Sequence, residues 1–371
     1  MAGGVADYTE LLASALAATG DAVQVFVPAD CDAASGHAPP FVRRLPDHYG
    51  PAGLTQVSRW IDALPLDARL LVQYTPQSFG FRAMNVPFCL WLRSVARRRP
   101  VDVMFHEVHC PIDASQPLHH NALGTVTRWM AGIVARAAQR VFVSTSAWEP
   151  IVRAMVLSGT PIRVLPVPSN LPTSTCADCV ARARSKLARG RGAGTRIVGH
   201  FGTYGSWTRQ ALTSIIRDAL ALPDVCFALI GRGSESFAQE MIATDPPSSD
   251  RIVACGALSA RSAAAHLAAC DILVQPYVDG ITTRRSSAMA GLALGVPTVT
   301  TDGRLTETFW RASGAVALAQ ADDVAALGAR VRELLEDPAS RRSLSQHAAA
   351  LYRQRFALVH TVSALCEGLS R

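Results

Sequence analysis

The chain has 371 residues, 49% of them hydrophobic, and a formal net charge of +7. That length allows two domains of ordinary size with a large core, and no apolar run reaches the ~20 residues that a membrane-spanning helix needs. Lys186 is the only lysine, so a lysine-bearing phosphate loop is excluded and any phosphate must be met by arginine, hydroxyl or backbone.

The opening residues MAGGVADYTE lack the basic-then-apolar pattern of a signal peptide. This favours a cytoplasmic location. Gly3 and Gly4 resemble the turn that follows a strand, yet no strand precedes them; either an upstream strand is expected, because a sheet without it would keep unpaired edges, or this domain lacks its first strand. The stretch 8–20, YTELLASALAATG, has helical apolar spacing. Short β-branched runs then follow at 23–28, 70–74, 101–107, 140–144 and 163–167, with helical patterns between them such as VTRWMAGIVARAAQ at 126–139. Such alternation predicts a parallel sheet covered on both faces.

The segment 88–100, FCLWLRSVARRRP, joins an apolar face to Arg93, Arg97, Arg98 and Arg99. It is read as packing on the first sheet with solvated arginines; a peripheral contact with an anionic inner-membrane face is the alternative. Nine cysteines are scattered along the chain, consistent with reduced thiols. Cys176 and Cys179 form one CxxC pair, but the second pair that a zinc site usually needs does not follow.

Residues 172–195 hold turn formers and basic residues and read as a linker carrying at most one short surface helix. Alternation restarts with strands at 196–202, 225–231, 251–256, 271–277 and 296–301. The expected organisation is an acceptor-side domain over 1–171, a linker over 172–195, a nucleotide-sugar domain over 196–350, and a helix over 351–371 that returns to the first domain. Ligands in doubly wound sheets bind outside the carboxyl ends of strands, so chemistry should follow each strand.

Two stretches meet that condition. After the strand at 196–202, Gly202, Thr203, Tyr204 and Gly205 open a tight loop, and the helix behind it, with Arg209, aims its amides at an anion. A dehydrogenase reading fails there: the glycines are not spaced GxGxxG, and no Tyr-x-x-x-Lys pair can form. After the strand at 271–277, Asp279, Arg284 and Arg285 precede a helix that Ser286 or Ser287 can cap and that Gly295 and Pro297 end. Two guanidiniums beside a helix N-terminus call for a phosphate or diphosphate.

The whole chain resembles the family 4 glycosyltransferases of the GT-B type, the glycosyl transferases group 1. GGVADYTELLASALAATGDAVQVF (3–26), FHEVH (105–109) and FVSTSAW (142–148) follow that family's first domain. GHFGTYG (199–205), FALIGRGS (227–234), VACGALS (253–259), ACDILVQPY (269–277) and LALGVPTVTTDGRLTE (292–307) follow its second, in order. The resemblance implies an α/β fold of two Rossmann-like doubly wound domains facing across a cleft. It also implies a nucleoside-diphosphate sugar as donor, retention, no cofactor and no metal; no nucleic-acid partner is expected. On the acceptor side it implies Gly3, Gly4, Asp7, Tyr8 and His109; at the reacting centre, His106 with Glu107; and near the sugar, Glu307. The chain departs from the pattern where the family has Glu-x7-Glu, at Thr282 and Ala290, and at the donor-loop Arg and Lys, at Thr203 and at Thr208 or Arg209. Arg284, Arg285 and Arg209 are expected to replace the lost phosphate contacts, and Asp279 a glutamate. The alternatives are a homologue that binds carbohydrate or a partner without turnover, and a sugar-nucleotide epimerase.

Overall fold

The computed structural model describes residues 4–29 and 41–367; Gly3 lies outside them. The chain forms two compact units, one of residues 1–166 with 362–371 and one of residues 167–361. Both are α/β with parallel sheets.

In the first unit, β1 (Val25–Val27) and β2 (Val42–Arg44) pair in parallel, while β3 (Leu70–Tyr74), β4 (Val101–Phe105), β5 (Arg140–Val143) and β6 (Ile162–Val164) form a four-stranded sheet in that order. Among the described residues no strand precedes α1 (Gly4–Ala18), and β3 is an outer strand of its sheet. The other helices are α2 (Pro51–Asp62), α3 (Val86–Val95), α4 (Leu118–Ala137) and α5 (Glu149–Arg153). β4 is buried throughout, as a central parallel strand covered on both faces must be. Phe79 and Phe88 stack with ring centroids 4.0 Å apart in the core beside it.

Burying Asp102 near the start of β4 is tolerable because it is paired on both sides. Arg69 lies 3.2 Å away and Arg140 donates at 2.6 Å. Arg140 also donates to the carbonyls of Leu365 and Glu367, at 3.0 and 2.8 Å, which ties residues 365–367 to β5. Arg99 departs from the expected solvated arginine: it is buried and donates to the carbonyls of Ile61, Leu64 and Pro65, closing the end of α2. Arg98 stays exposed and pairs with Asp62.

The second unit begins with α6 (Ala177–Leu187), within the segment read as a linker; its Ala183 and Leu187 belong to the unit's core. A disulfide joins Cys176 to Cys179, correcting the expectation of reduced thiols at that pair. Six strands follow, β7 (Arg196–Phe201), β8 (Val225–Ile230), β9 (Ile252–Ala254), β10 (Ile272–Gln275), β11 (Thr298–Asp302) and β12 (Ala317–Gln320), in the spatial order β12-β11-β10-β7-β8-β9. They alternate with α7 (Ser206–Leu220), α8 (Ser234–Thr244), α9 (Ala260–Ala268), α10 (Ser286–Ala293), α11 (Thr308–Ser313) and α12 (Val324–Glu336), and α13 (Pro338–Leu351) and α14 (Leu358–Cys366) end the chain. Chain order reverses between β7 and β10, so a crevice opens beyond their carboxyl ends. Among the described residues no helix is long and apolar enough to cross a membrane.

Candidate active site

The loops at that reversal point are drawn together by backbone. Gly202, just past β7, donates its N–H to the carbonyl of Ile230 at 3.1 Å, and Gly231 donates to Gly256 at 3.0 Å. Gly231 has φ +121°, and a Cβ there would stand 2.2 Å from the carbonyl oxygen of Gly202, so only glycine fits. Thr203 is exposed, Tyr204 is buried with its hydroxyl donating to Ile230, and Gly205 stands at the N-cap of α7 with no side-chain cap. The head of α7 therefore presents backbone amides beside Thr203. His200, in β7, is buried and donates Nδ1–H to the carbonyl of Val274 at 2.8 Å; burial lowers its pKa to about 4.

Arg209 is not aimed at that loop's mouth. Its guanidinium pairs with Glu240 and Ser236 of α8, donates to the carbonyl of Tyr204 at 2.8 Å, and lies over Phe237. An exposed carboxylate on the neighbouring helix holds it there.

At the head of α10 the expected elements meet, with a different internal partner. Arg284 donates to Asp279 at 2.6 Å, Arg285 donates to the other oxygen of the same carboxylate, and Arg285 also stacks over Tyr277 with its centre 4.6 Å from the ring. The N-cap of α10 is Arg285 and no side chain caps it; Ser286 is the first helical residue and Ser287 bonds the hydroxyl of Tyr277, so the expected serine cap is corrected. Asp279 is thus the clasp of the two arginines. Two guanidiniums thus share one carboxylate at the head of the helix.

The loop after β11 laces onto this one. Leu305 donates to the carbonyl of Asp279 and Ile281 to that of Thr301, both at 2.9 Å. Gly280, at φ +87°, lies so close to Gly303 and Thr306 that a Cβ would stand 2.1 Å from the Thr306 hydroxyl. Glu307 is buried; one carboxylate oxygen accepts from the N–H and hydroxyl of Thr283, at 3.1 and 2.7 Å, and the other from the indole of Trp310 at 2.9 Å. Thr282 and Ala290, at the family's two glutamate places, are fully buried.

In the first unit the polar residues gather after β4. His106 is 7% exposed; its Nε2 bonds Gln73 of β3 at 2.8 Å, and its carbonyl accepts from Ser144 and from the indole of Trp148. Burial lowers its pKa to about 4, so the ring is neutral at ordinary pH. The ring of Tyr8 meets it edge-on with centroids 5.1 Å apart, which brings α1 to the loop after β4. Asp7 lies in the first turn of α1 and Gly4 is its exposed first residue. Glu107 is half-buried. His109 turns to the carbonyl of Cys110 at 2.8 Å, so Nδ1–H donates locally. Gln73, which fixes the His106 ring, carries no signal in sequence beyond its place in a strand. Among the described residues no three His, Cys, Asp or Glu side chains cluster as metal ligands would.

Residues 3–168 match a family model described as Glycosyl transferase 4-like domain, and residues 196–337 one described as Glycosyl transferases group 1. No curated protein sequence matches the chain. Among solved structures, the chain is similar to Anabaena HepE in complex with UDP, with 18% identity, TM-score 0.69, and coverage of 98% of this chain and 95% of that one. Sucrose-phosphate synthase from Thermosynechococcus elongatus gives 19% identity and TM-score 0.71, over 98% and 93%. A putative UDP-N-acetylglucosamine 2-epimerase from Listeria monocytogenes gives 13% and 0.60, over 98% and 94%.

Proposed function

Because the chain belongs to the group 1 glycosyl transferases, with a glycosyl transferase 4-like first domain, we propose that it moves a sugar from a uridine-diphosphate donor to an acceptor, with retention and without a metal. The two-domain fold shared with a UDP-bound structure supports the donor class. The observation that carries the donor site is the clasped pair Arg284 and Arg285 at the head of α10.

A guanidinium offers five N–H donors, more than one carboxylate takes up. Asp279 orders both arginines before any ligand arrives, so little side-chain entropy is left to lose on binding. The second unit then meets a diphosphate with these guanidiniums and with the amides at the heads of α7 and α10. As the sugar–oxygen bond breaks, charge grows on the departing phosphate, and donors already in place stabilise it without reorganising. The phosphate oxygen takes the acceptor proton, so no carboxylate pair at hydrolase spacing is required. In the first unit, neutral His106 orients a sugar or acceptor hydroxyl, and Gln73 acts as its positioning residue. Glu107, Asp7 and Tyr8 stand on the acceptor side of this reading.

Calorimetric titration with UDP tests the donor site. The Arg284→Ala, Arg285→Ala double variant is expected to lose affinity by about a hundredfold or more, since two charge-assisted contacts disappear. Because that change also strips Asp279 of its partners, Arg284→Gln and Arg285→Gln are measured beside it, with circular dichroism to show that they fold. Unchanged affinity in the folded variants overturns the assignment. The absence of carboxylates at positions 282 and 290 favours a second reading, a homologue that binds donors without turnover; binding with no transfer or hydrolysis across donors would establish it. An acceptor-independent sugar-nucleotide product would establish an epimerase instead.

A further inference from the structure

Helix α4 bears two glycines, and they are used differently. A Cβ on Gly124 would stand 2.5 Å from Ile112 and 2.9 Å from the carbonyl of Pro111, so that glycine lets a loop pack closely. A Cβ on Gly132 would meet nothing within 4 Å. Glycine inside a helix costs about 1 kcal/mol relative to alanine, and at Gly132 no protein packing offsets that cost.

Gly132 lines a groove of about 730 Å³ between α4 and α5. One wall is a single helical stripe: Arg128 and Trp129, then Gly132, then Arg136, one turn apart. The facing wall, Ile151, Ala154 and Met155, is apolar. Trp129 is 60% exposed, an unusual place for an indole with no protein to cover it. Arg128 and Arg136 have no carboxylate partner among the described residues, although many arginines of this chain do, and no acidic residue lines the groove. Eight residues of helix place the backbones of the two arginines about 12 Å apart along the axis. His109 lines the same groove with its Nδ1–H already donated to Cys110, which leaves Nε2 toward a hydroxyl.

We propose that this groove binds an acidic saccharide, one whose sugar rings carry phosphate or carboxylate groups. Trp129 stacks on the apolar face of a ring, Gly132 makes room for it, and Arg128 and Arg136 grip anionic groups on either side. That such a saccharide is the acceptor rests on the glycosyltransferase reading; that it binds here does not.

The probes are trigalacturonic acid and glucose 6-phosphate, with neutral maltotriose as control, titrated calorimetrically against the full chain. Expected is binding of one or both acidic probes over maltotriose, weakened by about tenfold or more in Arg128→Ala, Arg136→Ala as charge-assisted contacts are lost. Trigalacturonic acid alone would point to carboxylate-bearing chains, and glucose 6-phosphate alone to phosphate. Gly132→Met fills the groove; it should abolish binding while leaving the melting temperature unchanged or higher, because methionine is the better helix former. UDP affinity is measured in parallel and should not change, so failure of the donor site and failure of this groove are separable. No binding of either acidic probe, equal binding of maltotriose, unchanged binding in both variants, or, in a parallel titration with phosphatidylglycerol vesicles, loss of vesicle binding alone in the variants would each overturn the proposal.

Discussion

Acidification from about pH 7.5 to about pH 5 is expected to weaken both units, through one buried imidazole in each. His106 and His200 have pKa values lowered from 6.5 to about 4, by burial first of all. In the unfolded chain both rings take up a proton near pH 6.5; in the folded chain they resist it until about pH 4. A depressed histidine pKa therefore contributes stability that is complete above the unfolded pKa and is lost as pH falls toward the folded one. At about pH 5 the unfolded ring is almost fully protonated and the folded ring about one-tenth so, which removes about 2 kcal/mol per histidine. Below about pH 4 the loss levels off near 3 kcal/mol each. His106 lies in the first unit and His200 in the second, so neither unit is spared. Urea denaturation followed by tryptophan fluorescence and circular dichroism at a series of pH values reads the effect. His106→Gln, which keeps a neutral hydrogen-bonding group beside Gln73, should flatten the pH dependence of the first unit alone. Midpoints that do not move between about pH 7.5 and about pH 5, or a His106→Gln variant as acid-sensitive as the parent, would refute the reasoning.

Glu307→Ala should destabilise the second unit by about 3 kcal/mol, because the Thr283 N–H and hydroxyl and the Trp310 indole would be left buried without an acceptor. A loss below about 1 kcal/mol in equilibrium unfolding would show those donors to be satisfied elsewhere. Gly231→Ala should cost about 3 kcal/mol or more, since its Cβ would meet the backbone oxygen of Gly202 at 2.2 Å on a positive-φ backbone. A melting temperature within about two degrees of the parent would mean that the loops after β7 and β8 separate easily.

The alternation of strands and helices was legible because parallel strands are buried on both faces and read as unbroken apolar runs, as β4 and β8 do. β2 and β12 escaped that signal. Their residues, Val-Arg-Arg and Ala-Leu-Ala-Gln, are too polar or too small to mark a buried run, and neighbouring strands recruit them. The two arginines before α10 were legible as a cationic feature because helix start and charge coincide in seven residues. Their partner was not: Asp279 competes with every other acid within reach, and only the turn at Gly280 brings it under both guanidiniums. The same limit hid Glu240 from the reading of Arg209 and Gln73 from that of His106, since 31 and 33 residues of chain separate those pairs. Helix starts and strand ends were readable from residue type; the partners that engage those side chains, from five to 33 residues away, were not.

The departures at Thr282 and Ala290 acquire a physical meaning from this. The resemblance implies two carboxylates at those places, one before α10 and one on it, for the family's usual donor contacts. Here the nearby carboxylates come from elsewhere and are already engaged: Asp279 by two guanidiniums, Glu307 by three donors from Thr283 and Trp310. A carboxylate that already accepts several hydrogen bonds gains less from one more hydroxyl than an uncommitted one does. On the proposed reading, donor recognition in this chain therefore shifts from acids that accept sugar hydroxyls to cations and amides that hold the diphosphate. Asp279 and Glu307 serve it indirectly, the first by ordering the arginines and the second by holding Thr283 just before them. An acid that orders cations can be removed only by disordering the anion site as well. On that reading the carboxylates around α10 belong to the donor site's architecture even where they touch no sugar.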